Sequence, residues 1–218
     1  MHFEPYILLY IPVFLFAITV HEFAHAWSAK LAGDLTAAYS GRLTLNPLAH
    51  IDPVGTVILP LAAIFLGIPM IGWAKPVPVN ELRFRRDIWI VWVSLAGPIS
   101  NILLALCGAI ALKFILLPLA PTRHVPEVLI SLAVIFVTLN VVLAVFNMLP
   151  IPPLDGSSLV YHFLIRRFPQ LWQVWMTLTR FGFLILWLLL VAIPPFQSFL
   201  GTAFSLPARI LLRWAGLM

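Results

Sequence analysis

The chain of 218 residues is 62% hydrophobic and only 10% charged, with a mean hydropathy of +1.04. Soluble domains carry about a quarter of their residues as charge, so this composition excludes one and indicates an all-α integral membrane protein. A net charge of +5 does not indicate nucleic acid, because the thirteen Lys and Arg sit singly or in short groups between apolar runs, as charges flanking membrane spans do.

Charge-free runs cover residues 5–20, 53–74, 88–112, 128–154 and 181–208, each near or beyond the roughly 20 residues that cross the hydrocarbon. They predict a polytopic helical bundle of about five to six transmembrane or re-entrant segments. One domain spans 1–218, with a core of about 5–160 and C-terminal helices over about 170–218. The first run leads into "TVHEFAHAW" at residues 19–27. A secretory signal is the competing reading, but the start "MHFEP" has no Lys or Arg. Cleavage near Ala26 would also discard the most unusual residues in the chain, so the segment is read as a retained span.

His21 and His25 are four residues apart and stack on one helical face, where both imidazoles reach a single ion. Glu22 projects about 100° around the helix, beside rather than at the ion, where a base for a water molecule belongs. Haem is excluded for this pair, since its two axial ligands approach from opposite faces. From Pro5 to His21 the helix rises about 24 Å against a core of about 30 Å, which puts the three ionisable groups inside the membrane near one surface. Such groups are costly there and mark function.

After the first helix, Gly33-Asp34 ends it and "GRLTLNP" alternates like a short strand. His50 reads as a loop histidine with a structural bond. Residues 71–87 are predicted extended, since Pro76 and Pro78 exclude helix. Their missing N–H groups blunt one edge and leave Val77 and Val79 able to pair along the other. Short extended β segments near the cytoplasmic face are therefore expected. Arg83, Arg85 and Arg86 precede one predicted span, and Arg166 and Arg167 follow the next, which puts both sets, with Lys30 and Arg42, on the cytoplasmic side. Residues 51–82 must then leave and re-enter the same face.

Within the later spans, Asn101 and Asn140 read as packing glue between helices and Cys107 as a small packing residue. Zinc in hydrolytic sites takes three protein ligands and a water. Asp155 is the best third ligand: it follows a 27-residue uncharged run in "NMLPIPPLDGSS", where Pro150, Pro152 and Pro153 break the helix and Gly156 permits a turn. Asp34, Asp52 and Asp87 lie beside polar loops and read as solvated or capping. Further on, residues 181–195 cross or nearly cross, and "LPARILLRWAGLM" reads as a surface helix with Arg209 and Arg213 snorkelling.

Two segments carry a family likeness: His21-Glu22-Phe23-Ala24-His25, and "NMLPIPPLDG" at residues 147–156. The chain resembles the site-2 protease family of intramembrane zinc metalloproteases, which pairs H-E-x-x-H in one helix with N-x-x-P-x-x-x-L-D-G at the end of a later one. "AGPISN" at 96–101 resembles the family's small-residue core helix. "GRLTLNPLAHIDPVGT" and "GWAKPVPVN" resemble its compact prokaryotic branch, without a PDZ domain. The resemblance implies one zinc ion held by His21, His25 and Asp155, with Glu22 as catalytic acid/base. It implies transmembrane protein or peptide substrates and a multi-pass protein of the prokaryotic cytoplasmic membrane, its active site near the cytoplasmic side. A substrate helix must unwind to be cut, and the edge at Val77 and Val79 offers donors to the extended chain. Asn147 is a candidate amide for the oxyanion or the substrate backbone. The competing classes are a transporter or metal-permease using the same cluster, and a catalytically silent membrane scaffold.

Overall fold

The computed structural model describes residues 9–66, 72–123 and 126–217. Helices α1 (Tyr10–Ala32), α2 (Thr36–Tyr39) and α3 (Leu59–Leu66) precede α4 (Trp89–Ala111), which continues through a π-helical turn into α5 (Leu117–Arg123). Then follow α6 (Glu127–Asn147), α7 (Asp155–Val160), α8 (Trp172–Ala192) and α9 (Pro194–Ala215). Among the described residues three helical stretches are long and apolar enough to cross a membrane: Trp89–Ala120, Glu127–Asn147 and Pro169–Ala192. The expected all-α membrane architecture is present. The start of the first predicted span and residues 67–71 of the predicted re-entrant turn lie outside the described residues.

The packed centre is α4, laid against α6 on one side and α1 on the other. Small residues make those contacts close. Ala17, Ala26, Ala29 and Ala32 of α1 are fully buried. A Cβ on Gly108 would come within 2.8 Å of the Phe136 ring and 2.9 Å of Val137. In lipid, where apolar burial between helices gains little, such backbone approach supplies the van der Waals contact that holds a bundle. Helix α9 lays one face on the bundle and leaves the other exposed. It packs Ala208 against Ala105 and Val141, and Leu212 and Ala215 against Ala109, Leu112 and Val137. Its small and aliphatic residues recur on one face, while Arg209 points out and bonds Ser205.

Neither predicted β segment forms a strand among the described residues. In "GRLTLNP" the chain turns at Gly41 (φ 67°), and Asn46 caps the following turn by accepting from the Leu48 N–H. Local side-chain bonds of this kind compete with any ladder. Residues 72–80 are extended, yet their donors go to separate places: Trp73 N–H to the Gly55 carbonyl, Lys75 N–H to the His50 carbonyl and Val77 N–H to Glu22. Pro76 and Pro78 contribute none. The two bonds to 50–55 lay this stretch beside the start of the 51–82 excursion.

Helix α1 stops at Gly33 (φ 110°), whose N–H bonds back to the last turn. A Cβ there would lie 3.1 Å from the Arg83 carbonyl, so glycine serves both the left-handed turn and the close return of the chain. Asp34 is not solvated but fully buried. Burial disfavours its charge, but the Asn80 N–H (2.7 Å), the Thr36 hydroxyl and N–H, and the Arg83 charge outweigh that and hold the carboxyl below its ordinary range. The same carboxylate ties the end of the extended stretch to the end of α1. Asp52 caps the turn after it through the Val54 and Gly55 N–H groups. Asp87 pairs with Arg166 at 2.9 Å on the surface, which brings the two arginine-rich ends to one side of the bundle.

Candidate metal centre

His21 and His25 stand one turn apart on α1, and α7 delivers Asp155 to them. The chain after α6 breaks at Met148 because Pro150, Pro152 and Pro153 cannot continue a helix. The turn runs over 148–154, and α7 then starts against it: a Cβ on Gly156 would sit 2.3 Å from the Met148 carbonyl oxygen. That close packing aims the Asp155 carboxylate at α1. His21 Nε2 lies 3.2 Å from Asp155 Oδ2, His25 Nε2 lies 3.3 Å from Oδ1, and the two Nε2 atoms are 3.1 Å apart.

The protons on the two rings follow from their other contacts. His21 Nδ1 is 2.6 Å from Asn101 Oδ1, and His25 Nδ1 is 2.7 Å from the Val93 carbonyl. Both partners only accept, so each ring carries a proton on Nδ1, and a neutral ring then turns a lone pair on Nε2 toward the other. The Asn101 orientation is itself fixed: its amide donates to Asn140 Oδ1 (2.9 Å) and to the Ala17 carbonyl, and the Asn140 amide donates to the Phe136 carbonyl (2.9 Å). Asp155 Oδ2 is buried and accepts no hydrogen bond among the described residues. With both rings neutral, three lone-pair sites converge on one point, an arrangement that fits a bound cation. Tetrahedral coordination at about 2.0–2.1 Å sets ligand atoms about 3.3–3.4 Å apart, close to the spacing found. Two imidazoles and a carboxylate suit zinc.

Glu22, beside His21 and His25, lines with them and Asp155 a cavity of about 640 Å³. Its Oε2 accepts the Val77 N–H at 2.8 Å. The far wall is apolar, made by Phe183, Leu186, Trp187 and Leu190 of α8, and Trp73 meets Phe183 edge-on at 5.4 Å between ring centres.

The family model described as "Peptidase family M50" matches residues 119–189, the part that contains Asp155. "Putative zinc metalloprotease YwhC" of Bacillus subtilis is 40% identical over 164 residues, covering 72% of this chain and 68% of that protein. The chain belongs to peptidase family M50, the site-2 protease family of intramembrane zinc metalloproteases. "Putative zinc metalloprotease Rip2" of Mycolicibacterium smegmatis is 33% identical over 187 residues, covering 84% of this chain and 67% of that protein. "Putative zinc metalloprotease Rip3" of Mycobacterium tuberculosis is 32% identical over 154 residues, with 30% of its length covered. No solved structure matches the chain.

For an M50 chain, four further residues have mixed placements. Val79 lines the cavity and its N–H has no partner among the described residues, whereas the Val77 N–H is engaged by Glu22. Asn147 lines the cavity too, but its amide donates to the Leu143 carbonyl one turn back in its own helix (2.9 Å). His50 lies apart from the metal cluster, bonded through Nε2 to the Thr44 carbonyl. Asn101 and Asn140 do more than join helices, since together they set the His21 tautomer. Their signal was two amides in apolar spans, where each is costly without a partner. Gly97 is the other residue not singled out from sequence. Asn101→Leu should weaken zinc binding about 10–100-fold, as loss of a group orienting a metal ligand does, while His25 keeps its own Val93 anchor. Zinc titration of the purified variant against a competing chelator checks this, and unchanged affinity would remove Asn101 from the site.

Proposed function

We propose that the chain is a metalloendopeptidase that cuts peptide bonds within or near transmembrane helices, with His21, His25 and Asp155 holding one zinc ion and Glu22 as acid/base. The single observation that carries the reading is the convergence of two histidine Nε2 atoms and the part-buried Asp155 carboxylate beside a second carboxylate, in a largely apolar cavity. When bound, zinc acidifies water and polarises a substrate carbonyl. Glu22 takes the proton from the attacking water and returns it to the leaving amine. Its bond to the Val77 N–H keeps the carboxylate pointed into the cavity. The Val79 N–H offers a donor to an unwound substrate, and the Asn147 amide offers a second at the opposite wall.

The same reading takes 1–218 as one domain with five to six membrane or re-entrant segments, in a prokaryotic cytoplasmic membrane. The positive-inside rule, applied to Arg83–Arg86 and Arg166, puts the site near the cytoplasmic side. A transmembrane protein or peptide in the same bilayer is the substrate class. The test is cleavage of a model transmembrane peptide by reconstituted protein with and without a chelator. Activity should vanish on chelation and return with added zinc; activity indifferent to the chelator would overturn the reading.

A further inference from the structure

A second cavity, of about 730 Å³, lies outside the catalytic one on the outer side of α1 and α4. Its polar end holds Arg85 and Arg86, and its wall runs down α4 through Trp89, Trp92, Ala96 and Ile99. Both arginines are exposed, and neither meets a carboxylate among the described residues. The one acid beside them, Asp87, is taken by Arg166. Arg85 is nonetheless held in place: its N–H bonds the Ala32 carbonyl (2.9 Å), and its side-chain stem lies against Gly33, where a Cβ would be 3.2 Å from its Cγ.

From Trp89 to Ile99 the helix rises about 15 Å, half of a hydrocarbon core of about 30 Å. The cavity thus has the length of one leaflet, an apolar floor, two tryptophans at the level where indoles favour the interface, and two uncompensated guanidiniums above them. Guanidinium forks match phosphate oxygens geometrically. We propose that this groove binds one anionic phospholipid, with its phosphate on Arg85 and Arg86 and an acyl chain along Trp92, Ala96 and Ile99. Basic pockets between membrane helices are suited to such headgroups. The site stands apart from the catalytic cluster and takes no part in its chemistry.

Native mass spectrometry of the full chain, released from micelles holding equal phosphatidylglycerol and phosphatidylcholine, tests this. The wild type should retain a single phosphatidylglycerol about tenfold over phosphatidylcholine, whose phosphate is already compensated by its own quaternary ammonium while that of phosphatidylglycerol is free for the two guanidiniums. Arg85→Gln with Arg86→Gln should erase the preference. Filling the groove with Ala96→Phe or, independently, Ile99→Trp should also erase it with both charges intact. No preference in the wild type would overturn the proposal, as would retention in the double Gln variant. Loss with the arginines but not with either filled groove would mean surface charge alone. Displacement by millimolar inorganic phosphate would mean a phosphate site, not a lipid one.

Discussion

Glu22→Gln should keep one equivalent of zinc and lose cleavage by about two to four orders of magnitude, the usual worth of a positioned general base. Glutamine has the same shape and retains an oxygen for the Val77 N–H, which now comes to Glu22 at 2.8 Å, so the cavity keeps its form and only the proton acceptor is lost. His21→Ala, His25→Ala and Asp155→Ala should lose zinc and cleavage together. Each removes one of three donors spaced 3.1–3.3 Å apart, and a pair of donors falls short of the three protein ligands a hydrolytic zinc site uses. Metal analysis of each purified variant beside the peptide assay separates the two groups. Full cleavage by Glu22→Gln would defeat the assignment of the base, and an Asp155→Ala protein that still held zinc would defeat that of the third ligand.

The parts of this site legible in the sequence are those fixed by local geometry. The helical repeat alone puts His21 and His25 on one face, and three prolines within four residues stop α6 wherever the rest of the chain goes. What brings Asp155 to the histidines is packing across 130 residues, which spacing alone does not state; the family likeness supplied it. The tautomers were not legible, because they depend on an amide chain through three helices, from Phe136 to Asn140, Asn101 and His21. Each asparagine on its own reads as glue.

At "GRLTLNP" and within 71–87, alternation and proline exclude helix, but exclusion of helix does not supply a partner strand. The donors of 72–80 are spent instead on Gly55, His50 and Glu22. Asp34 was read from its polar neighbours in sequence, while its burial comes from Asn80, 46 positions away. In α9 the alternation of small residues with arginines marks one packing face, but only the fold shows that Ala208, Leu212 and Ala215 meet α4 and α6.

Gly97→Ala should weaken metal binding while leaving the bundle helical. A Cβ at that position would come 2.3 Å from His25 Nε2 and 2.5 Å from His21 Nε2, inside the space where the donor atoms converge. Neither ring can retreat easily, since His25 is anchored to the Val93 carbonyl and His21 to Asn101. The turn that presents Val93 is the one Pro98 disturbs by withholding an N–H from Ser94. By intrinsic preference alanine favours a helix over glycine by about 1 kcal/mol, so any loss must come from the contact with the histidines. Overpacking costs about 1–3 kcal/mol, which corresponds to zinc binding weakened about 5- to 150-fold and cleavage reduced at least as much. Gly108→Ala is the matched comparison: its Cβ would press on Phe136 at 2.8 Å, far from any donor atom, and should lower thermal stability while zinc stays bound. Zinc content and melting temperature measured on both variants decide the matter, and a Gly97→Ala protein with full zinc and full cleavage would show that α1 and α4 part without cost at the metal.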